Sequence, residues 1–93
     1  MVIGVLEVDL SIEYARSLKD KRMALRSLKD RIRRSFNVSV AEVEDNDVWT
    51  HAVLGIAVVA NDQQFANQVL SKIVDYCEND REVVLDDYRM SFL

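Results

Sequence analysis

Proline is absent from this sequence of 93 residues, while glycine occurs twice and cysteine and histidine once each. The scarcity of proline and glycine excludes collagen-like and low-complexity chains, and a hydrophobic content of 49% excludes a disordered one. The longest apolar run, residues 52–60, is roughly half as long as a membrane-spanning helix requires. We therefore expect a single domain over residues 1–93 in a soluble, cytoplasmic protein that has no membrane partner.

Cysteine and histidine are too scarce for most catalytic and metal sites. Cys77 has no second cysteine for a disulfide, and a zinc site would need His51 together with carboxylates that show no metal-type spacing. A Cys77–His51 nucleophile pair would have to join two different elements. The simpler interpretation places Cys77 on the inner face of a helix and His51 near the start of a strand. We predict no catalytic residues, no metal, no cofactor and no enzymatic activity.

Alternating apolar residues predict four strands, over residues 2–12, 38–43, 49–60 and 82–93. The third strand is apolar on both of its faces, so it should lie in the centre of the sheet with the first strand beside it. In the fourth strand Asp86 interrupts the alternation. A polar turn over residues 44–47 joins the second strand to the third.

Apolar residues at helical spacing predict two helices, each between strands. The first begins after Ser17 as N-cap and runs about five turns to Phe36, and the second follows an N-cap within residues 61–64 and ends near Asn79. The order βαββαβ with right-handed crossovers places the chain in the α+β class. We predict a ferredoxin-like fold, with a four-stranded antiparallel sheet and both helices on one face.

The charges of the chain are strongly segregated. The formal net charge is −4, but residues 16–34 hold nine of the twelve bases and only two acids, a local charge of +7. The remaining residues sum to −11. At about 100° per residue, five bases of the first helix fall on one flank and extend over about 21 Å. We call these the basic stripe: Lys19, Arg22, Arg26, Lys29 and Arg33.

Three interpretations of the basic stripe remain open. Its side chains could cover the flank of the core and lie against neighbouring acids, namely Glu42, Glu44, Asp45 and Asp47. They could instead bind the phosphates of RNA or of a ribosomal surface. They could also dock on an acidic protein surface, including a second copy of this chain. Lys21 projects near the apolar sector of the helix, where it has to extend outward to solvent or meet a carboxylate, and we expect the first.

The uncovered face of the predicted sheet has no aromatic residues on its central strands on which bases could stack. Its outward positions are Ile3, Val5, Glu7 and Asp9 on the first strand and Val53, Gly55, Ala57 and Val59 on the third. The opposite assignment of faces stays possible, since the third strand is apolar on both. An exposed apolar patch at Ile3, Val5, Val53 and Val59 predicts a homodimer through this open face.

Two segments of the sequence carry a family resemblance: residues 17–22, followed by Arg31, and residues 36–43, followed by Asp47 and Trp49. They resemble the YlxP-like family, also called domain of unknown function 503, over nearly the whole chain. The resemblance implies a small bacterial-type protein of ferredoxin-like fold without established activity. It also implies a gene often placed near translation and ribosome-maturation genes. It supplies no catalytic residues.

The function that we expect is therefore non-enzymatic association with RNA or the ribosome, through phosphates bound by the basic stripe. The alternative is a structural or protein-interaction homodimer with no nucleic-acid role. Within the family motif, Asn37, Ser39 and Glu42 are interpreted as structural, the first closing the helix and the other two lining the second strand.

Overall fold

A computed structural model describes residues 1–93 and confirms the predicted element order and the ferredoxin-like fold. The strands are β1 (Val2–Ser11), β2 (Ser39–Glu44), β3 (His51–Ala60) and β4 (Val84–Phe92), and the helices are α1 (Leu18–Ser35) and α2 (Gln63–Glu78). The strands form one antiparallel sheet in the order β2-β3-β1-β4. The two strands predicted to be central are therefore central.

Two strands begin two residues later than predicted. β3 starts at His51 instead of Trp49, because residues 45–50 form the connection from β2. β4 starts at Val84 instead of Glu82, because the Asp80 carboxylate accepts hydrogen bonds from the backbone N–H groups of Glu82 and Val83, at 2.7 and 3.2 Å. Those two amides are thus bound in a turn and do not pair with a strand.

The core lies between the sheet and the helices and contains 20 buried residues. Its central strands contribute Leu6, Val8, Leu10, Leu54, Ile56 and Val58, which assigns the inward and outward faces as the alternation predicted. The helices cover this face with residues that include Leu25, Leu28, Ile32, Leu70 and Ile73. Neither helix is long and apolar enough to cross a membrane.

Each edge strand contains one β-bulge. Asp86 is the extra residue of β4, because Asp9 pairs with Asp87 while Leu10 pairs with Leu85. The bulge reverses the alternation of faces along the strand. The odd-numbered Leu85 before the bulge and the even-numbered Met90 after it therefore both pack against the core. On β2 the extra residue is Val43, which lies between the pairs Glu42–Leu54 and Glu44–Val53.

Candidate nucleic-acid interface

The basic stripe lies on a helix whose ends are well defined. Ser17 is the N-cap of α1, as predicted, and its hydroxyl accepts a hydrogen bond from the backbone N–H of Asp20 at 3.1 Å. The Asp20 carboxylate in turn accepts from the backbone N–H of Arg16 at 3.0 Å. These bonds satisfy N-terminal amides that have no partner inside the helix. The helix therefore begins at a defined residue, and the direction of each base around the helix axis follows from its distance in sequence from that residue.

The structure aligns the five bases of the stripe along α1, and four of them lie on the flank that faces the edge strand β2. A groove of about 450 Å³ lies there. Its lining residues are Arg22, Leu25, Arg26, Lys29, Asp30, Arg33 and Glu42. A smaller groove of about 280 Å³ is lined by Lys19, Arg22, Met23 and Arg26. Since Arg22 and Arg26 border both grooves, the two form one continuous cationic surface.

Four bases of the stripe have no hydrogen-bonded or ionic partner among the residues of this chain: Lys19, Arg22, Arg26 and Lys29. Three of them are exposed, and Lys29 is half-buried. Their charges are therefore balanced only by solvent and mobile ions. None of the acids that could have covered them, at positions 42, 44, 45 and 47, forms an ion pair with the stripe.

Arg33 is the one member of the stripe with partners in the fold. Its guanidinium donates to the carbonyl oxygen of Val40 at 2.9 Å and lies 3.8 Å from the carboxylate of Asp30. Both side chains of the Arg33–Asp30 pair are about half exposed, so the pair contributes little to stability. Because an arginine has five N–H donors, Arg33 keeps donors that point to solvent.

Lys21 does not extend to solvent, and the prediction that it would do so was wrong. Its side chain is 1% exposed, and its Nζ lies 2.7 Å from Oε2 of Glu42 and 2.6 Å from the carbonyl oxygen of Asp45. Glu42 shares the inward face of β2 with Val40, which brings its carboxylate beneath the helix. Glu42 is thus neutralised by Lys21 and leaves the stripe uncompensated.

Arg31 is a further base of α1 that has a structural partner. It forms an ion pair with Asp80, whose side chain is 2% exposed. Asp80 also holds the turn before β4, so this contact joins the helix to the start of the last strand. The sequence did not reveal it, because residues 31 and 80 are distant in the chain and share no local pattern.

The connection between β2 and β3 is fixed to the first turns of α1. The carbonyl oxygen of Asp45 accepts hydrogen bonds from Lys21 Nζ and from the backbone N–H of Val48, at 2.6 and 3.0 Å. The Asp45 carboxylate lies 2.7 Å from Nδ1 of His51. Asp45 has φ 61°, a left-handed conformation that aspartate tolerates better than most residues. Trp49, in this connection, is 50% exposed.

The open face of the sheet carries acids and no aromatic side chain. Arg89 of β4 donates to both carboxylate oxygens of Asp9 at 3.2 Å and lies 3.7 Å from Glu7. The hydrogen bond from Arg89, assisted by its charge, lowers the pKa of Asp9 below the ordinary value of 3.8. The predicted apolar patch is smaller than expected, because Val53 is only 3% exposed, although Val59 is 66% exposed.

The candidate nucleophile is buried in this fold. Cys77 is completely buried on the inner face of α2, as predicted, and burial raises the pKa of its thiol to about 12. His51 lies at the start of β3 and contacts Asp45, so the structure does not bring it into a pair with Cys77. No group of three histidine, cysteine or acidic side chains is placed to hold a metal ion.

Comparison with known proteins gives a family and a fold. The family model described as "Protein of unknown function (DUF503)" matches residues 3–90. The uncharacterized protein YlxP of Bacillus subtilis (strain 168) is 30% identical over 82 residues, which span 88% of this chain and 89% of that protein.

Two designed proteins have similar structures. LFR1 1, a de novo design with a ferredoxin fold, has a TM-score of 0.56 at 17% identity, over 100% of this chain and 84% of that one. The de novo design Foldit4 has a TM-score of 0.54 at 12% identity, over 98% and 96% of the two chains. At these identities the similarity shows the fold alone.

Proposed function

The chain belongs to the DUF503 family of proteins of unknown function, and on that premise we propose that it is a non-enzymatic RNA-binding module linked to translation. In this proposal, helix α1 docks on the phosphates of RNA or of the ribosome through the basic stripe. Phosphate contacts fix position and orientation without reading sequence. The protein would therefore recognise a polyanionic surface by its charge and spacing.

The observation that carries the proposal is the lack of partners for Lys19, Arg22, Arg26 and Lys29. Like charges three and four residues apart on a helix destabilise it by a few tenths of a kcal/mol per pair. A row of bases that the fold does not neutralise therefore destabilises the helix without stabilising any other part of the fold. Binding a row of phosphates would relieve this repulsion and release counterions.

The distribution of the other charges supports one defined binding surface. The open face of the sheet carries Glu7, Asp9 and Asp87 around a single base, Arg89. These acids repel phosphates and so disfavour binding through the sheet face. A polyanion should consequently approach the molecule from the side of α1. The position beside translation genes that the family resemblance implies favours RNA or the ribosome as that polyanion.

The test is a binding assay with the double variant Arg22→Glu/Arg26→Glu. Both side chains are exposed and without partners, so the variant should keep the native fold and lose binding to RNA. The matched control is Lys72→Glu/Arg81→Glu, which makes the same change in net charge at two exposed bases outside the stripe. The control should bind RNA nearly as well as the unmodified protein.

A pull-down from cell extract, with and without nuclease, extends this test to the natural target. RNA or ribosomal material should be recovered with the unmodified protein and the control, and not with the stripe variant. Equal recovery with all three proteins, or recovery by none of them, would remove the proposal.

The open sheet face favours a second candidate, a homodimer with a structural or protein-interaction role. Val59 and Val43 are 66% and 49% exposed on this face, and the flanking positions of β1, Ile3 and Val5, are half-buried. Covering these side chains with a second copy would remove apolar surface from water. Sedimentation equilibrium of the unmodified protein and of Val59→Asp tests this: a monomer at micromolar concentration in both would contradict it.

A further inference from the structure

Trp49 is the single tryptophan of the chain and is not part of the hydrophobic core. Half of its surface is exposed, in a connection whose neighbouring residues are mostly polar. Tryptophan combines the largest apolar surface of any side chain with a flat ring, so leaving it in solvent forgoes a large gain from burial. About half of this apolar surface therefore remains accessible to a ligand.

The backbone on either side of Trp49 is held in place. The N–H of Val48 donates to the carbonyl oxygen of Asp45 at 3.0 Å, and the carbonyl oxygen of Thr50 accepts from the N–H of Ile12 at 2.8 Å. Asp45 is itself bound by Lys21 and His51. The ring is consequently presented from a fixed backbone, and little conformational entropy would be lost when a ligand packs against it.

This fixed connection lies at the end of the molecule where the basic stripe begins. Lys21 belongs to the first turns of α1, and its ammonium binds the Asp45 carbonyl at one end of the connection. Lys19 and Arg22, the first two bases of the stripe, are on the same turns of the helix. An extended polyanion that follows the stripe toward its N-terminal end therefore reaches the connection that carries Trp49.

The charges of the connection determine which part of the polyanion Trp49 can meet. Glu44, Asp45 and Asp47 surround this end of the hairpin and repel phosphate. An uncharged base, which has a flat aromatic face, is not repelled in this way and matches the indole ring. In a duplex the bases are already stacked and paired, whereas in a single strand they are free to splay out onto an aromatic side chain.

We propose that Trp49 stacks on a base of single-stranded RNA whose phosphates lie along the basic stripe, an inference that rests on the proposed function. The ligand class is then a single strand, or the unpaired end or loop of a folded RNA, and duplex is disfavoured. Stacking on an aromatic ring tolerates every base, so the site adds affinity for single strands without strict sequence preference.

The experiment uses the full chain and two probes of equal length and charge, an oligouridylate of about twelve nucleotides and its abasic counterpart. The fluorescence of Trp49 should be quenched by the oligouridylate and unchanged by the abasic strand. The variant Trp49→Ala should bind the oligouridylate roughly 5- to 150-fold more weakly and the abasic strand equally well. Trp49→Phe, which keeps an aromatic ring, should retain most of the affinity.

The outcomes separate this inference from the proposed function. If both probes bind with equal affinity to the unmodified protein and to Trp49→Ala, and fluorescence does not change, the stacking is wrong while phosphate docking stands. If neither probe binds, the stacking is wrong, and the pull-down with the stripe variant decides separately whether α1 docks on folded or ribosomal RNA. Thermal unfolding of Trp49→Ala checks the fold, and the fluorescence of the unmodified protein with the two probes decides the question if the alanine variant is unstable.

Discussion

Lys21 and Glu42 form an ion pair beneath helix α1, with Nζ of the lysine 2.7 Å from Oε2 of the glutamate and the two side chains only 1% and 16% exposed. The pair joins the helix to the edge strand β2, which has only one neighbouring strand in the sheet. It also engages Glu42, one of the two acids that line the groove beside the basic stripe; the other, Asp30, lies 3.8 Å from Arg33. A contact that stabilises the fold thus leaves the neighbouring cations free.

We predict that Lys21→Met lowers the free energy of unfolding by about 3–5 kcal/mol, because the buried carboxylate of Glu42 loses its counter-charge. The double variant Lys21→Met/Glu42→Leu should recover a large part of that loss, since it leaves no unpaired buried charge. Urea denaturation of the three proteins measures both effects.

The control for this prediction is Lys19→Met, two residues away on the same helix. Lys19 is exposed and has no partner, so its replacement should change the free energy of unfolding by less than about 0.5 kcal/mol. Equal losses for Lys19→Met and Lys21→Met would mean that the pair contributes nothing specific.

The two glycines of the chain should respond differently to alanine. A Cβ added at Gly4 would lie 3.0 Å from Leu70 Cδ1, 3.1 Å from Val58 Cγ1 and 3.2 Å from Ala66 Cβ, all in packed surroundings. A Cβ added at Gly55 would meet only Val43, which is 49% exposed and has room to rotate away. Neither glycine has a positive φ, so the difference is one of space and not of backbone conformation.

We therefore expect Gly4→Ala to destabilise the protein by about 1–3 kcal/mol through overpacking, and Gly55→Ala to cost less than about 1 kcal/mol. Thermal and urea unfolding of the two variants gives the comparison directly. If Gly55→Ala proves the more damaging, the packing of α2 on β1 is looser than the contacts of Gly4 indicate.

The contact between Asp9 and Arg89 predicts that the stability of the protein decreases at low pH. The folded-state pKa of Asp9 lies below 3.8, chiefly because Arg89 donates a hydrogen bond to its carboxylate. The contribution of this pair is therefore complete above the unfolded pKa and is lost as the pH falls through the lower folded pKa. Below about pH 4, the stability of the unmodified protein should fall more steeply than that of Arg89→Ala.

Nuclear magnetic resonance titration of the Asp9 carboxyl provides the direct measurement. Its midpoint should lie below 3.8 in the unmodified protein and rise in Arg89→Ala. Arg89→Lys keeps the charge and loses the two-pronged hydrogen bond, so it should give an intermediate midpoint. An unchanged midpoint in Arg89→Ala would show that the contact does not form in solution.

The sequence predicted those features of the fold that depend on local periodicity. The order of elements, the N-cap at Ser17 and the central position of β1 and β3 follow from spacing and from standard connection rules, and the structure confirms them. The sequence showed that Asp86 interrupts the alternation of β4, but it could not predict that the strand reverses its faces there, because the bulge is defined by the pairing with β1.

The predictions about individual side chains failed where a distant partner decides the outcome. A helical projection places Lys21 near the core, but only the fold brings Glu42 and the Asp45 carbonyl to it. Alternation assigned Val53 to the outward face correctly, yet its exposure of only 3% does not follow from alternation. The stripe itself was predictable, because its five members share one helix and need no partner to be aligned.

The salt dependence of RNA binding follows from the number of stripe residues that are free to contact phosphate. Four bases have no partner, and Arg33 is partly engaged by Val40 and Asp30. Each phosphate neutralised on a single strand contributes about −0.7 to the slope of log affinity against log salt. We expect a slope between about −2.8 and −3.5 for single-stranded RNA, measured by fluorescence anisotropy over a range of salt concentrations.

Single substitutions test this prediction more closely, because each removes one base whose position in the structure is known. Lys29→Ala should reduce the magnitude of the slope by about 0.7, whereas Lys72→Ala on α2 should leave it unchanged. Arg33→Ala should reduce it by less than Lys29→Ala, since part of its guanidinium already binds the carbonyl oxygen of Val40 at 2.9 Å. If Lys29→Ala and Lys72→Ala shift the slope equally, RNA is attracted by the charge of the whole molecule, and the alignment of the bases along α1 has no part in binding.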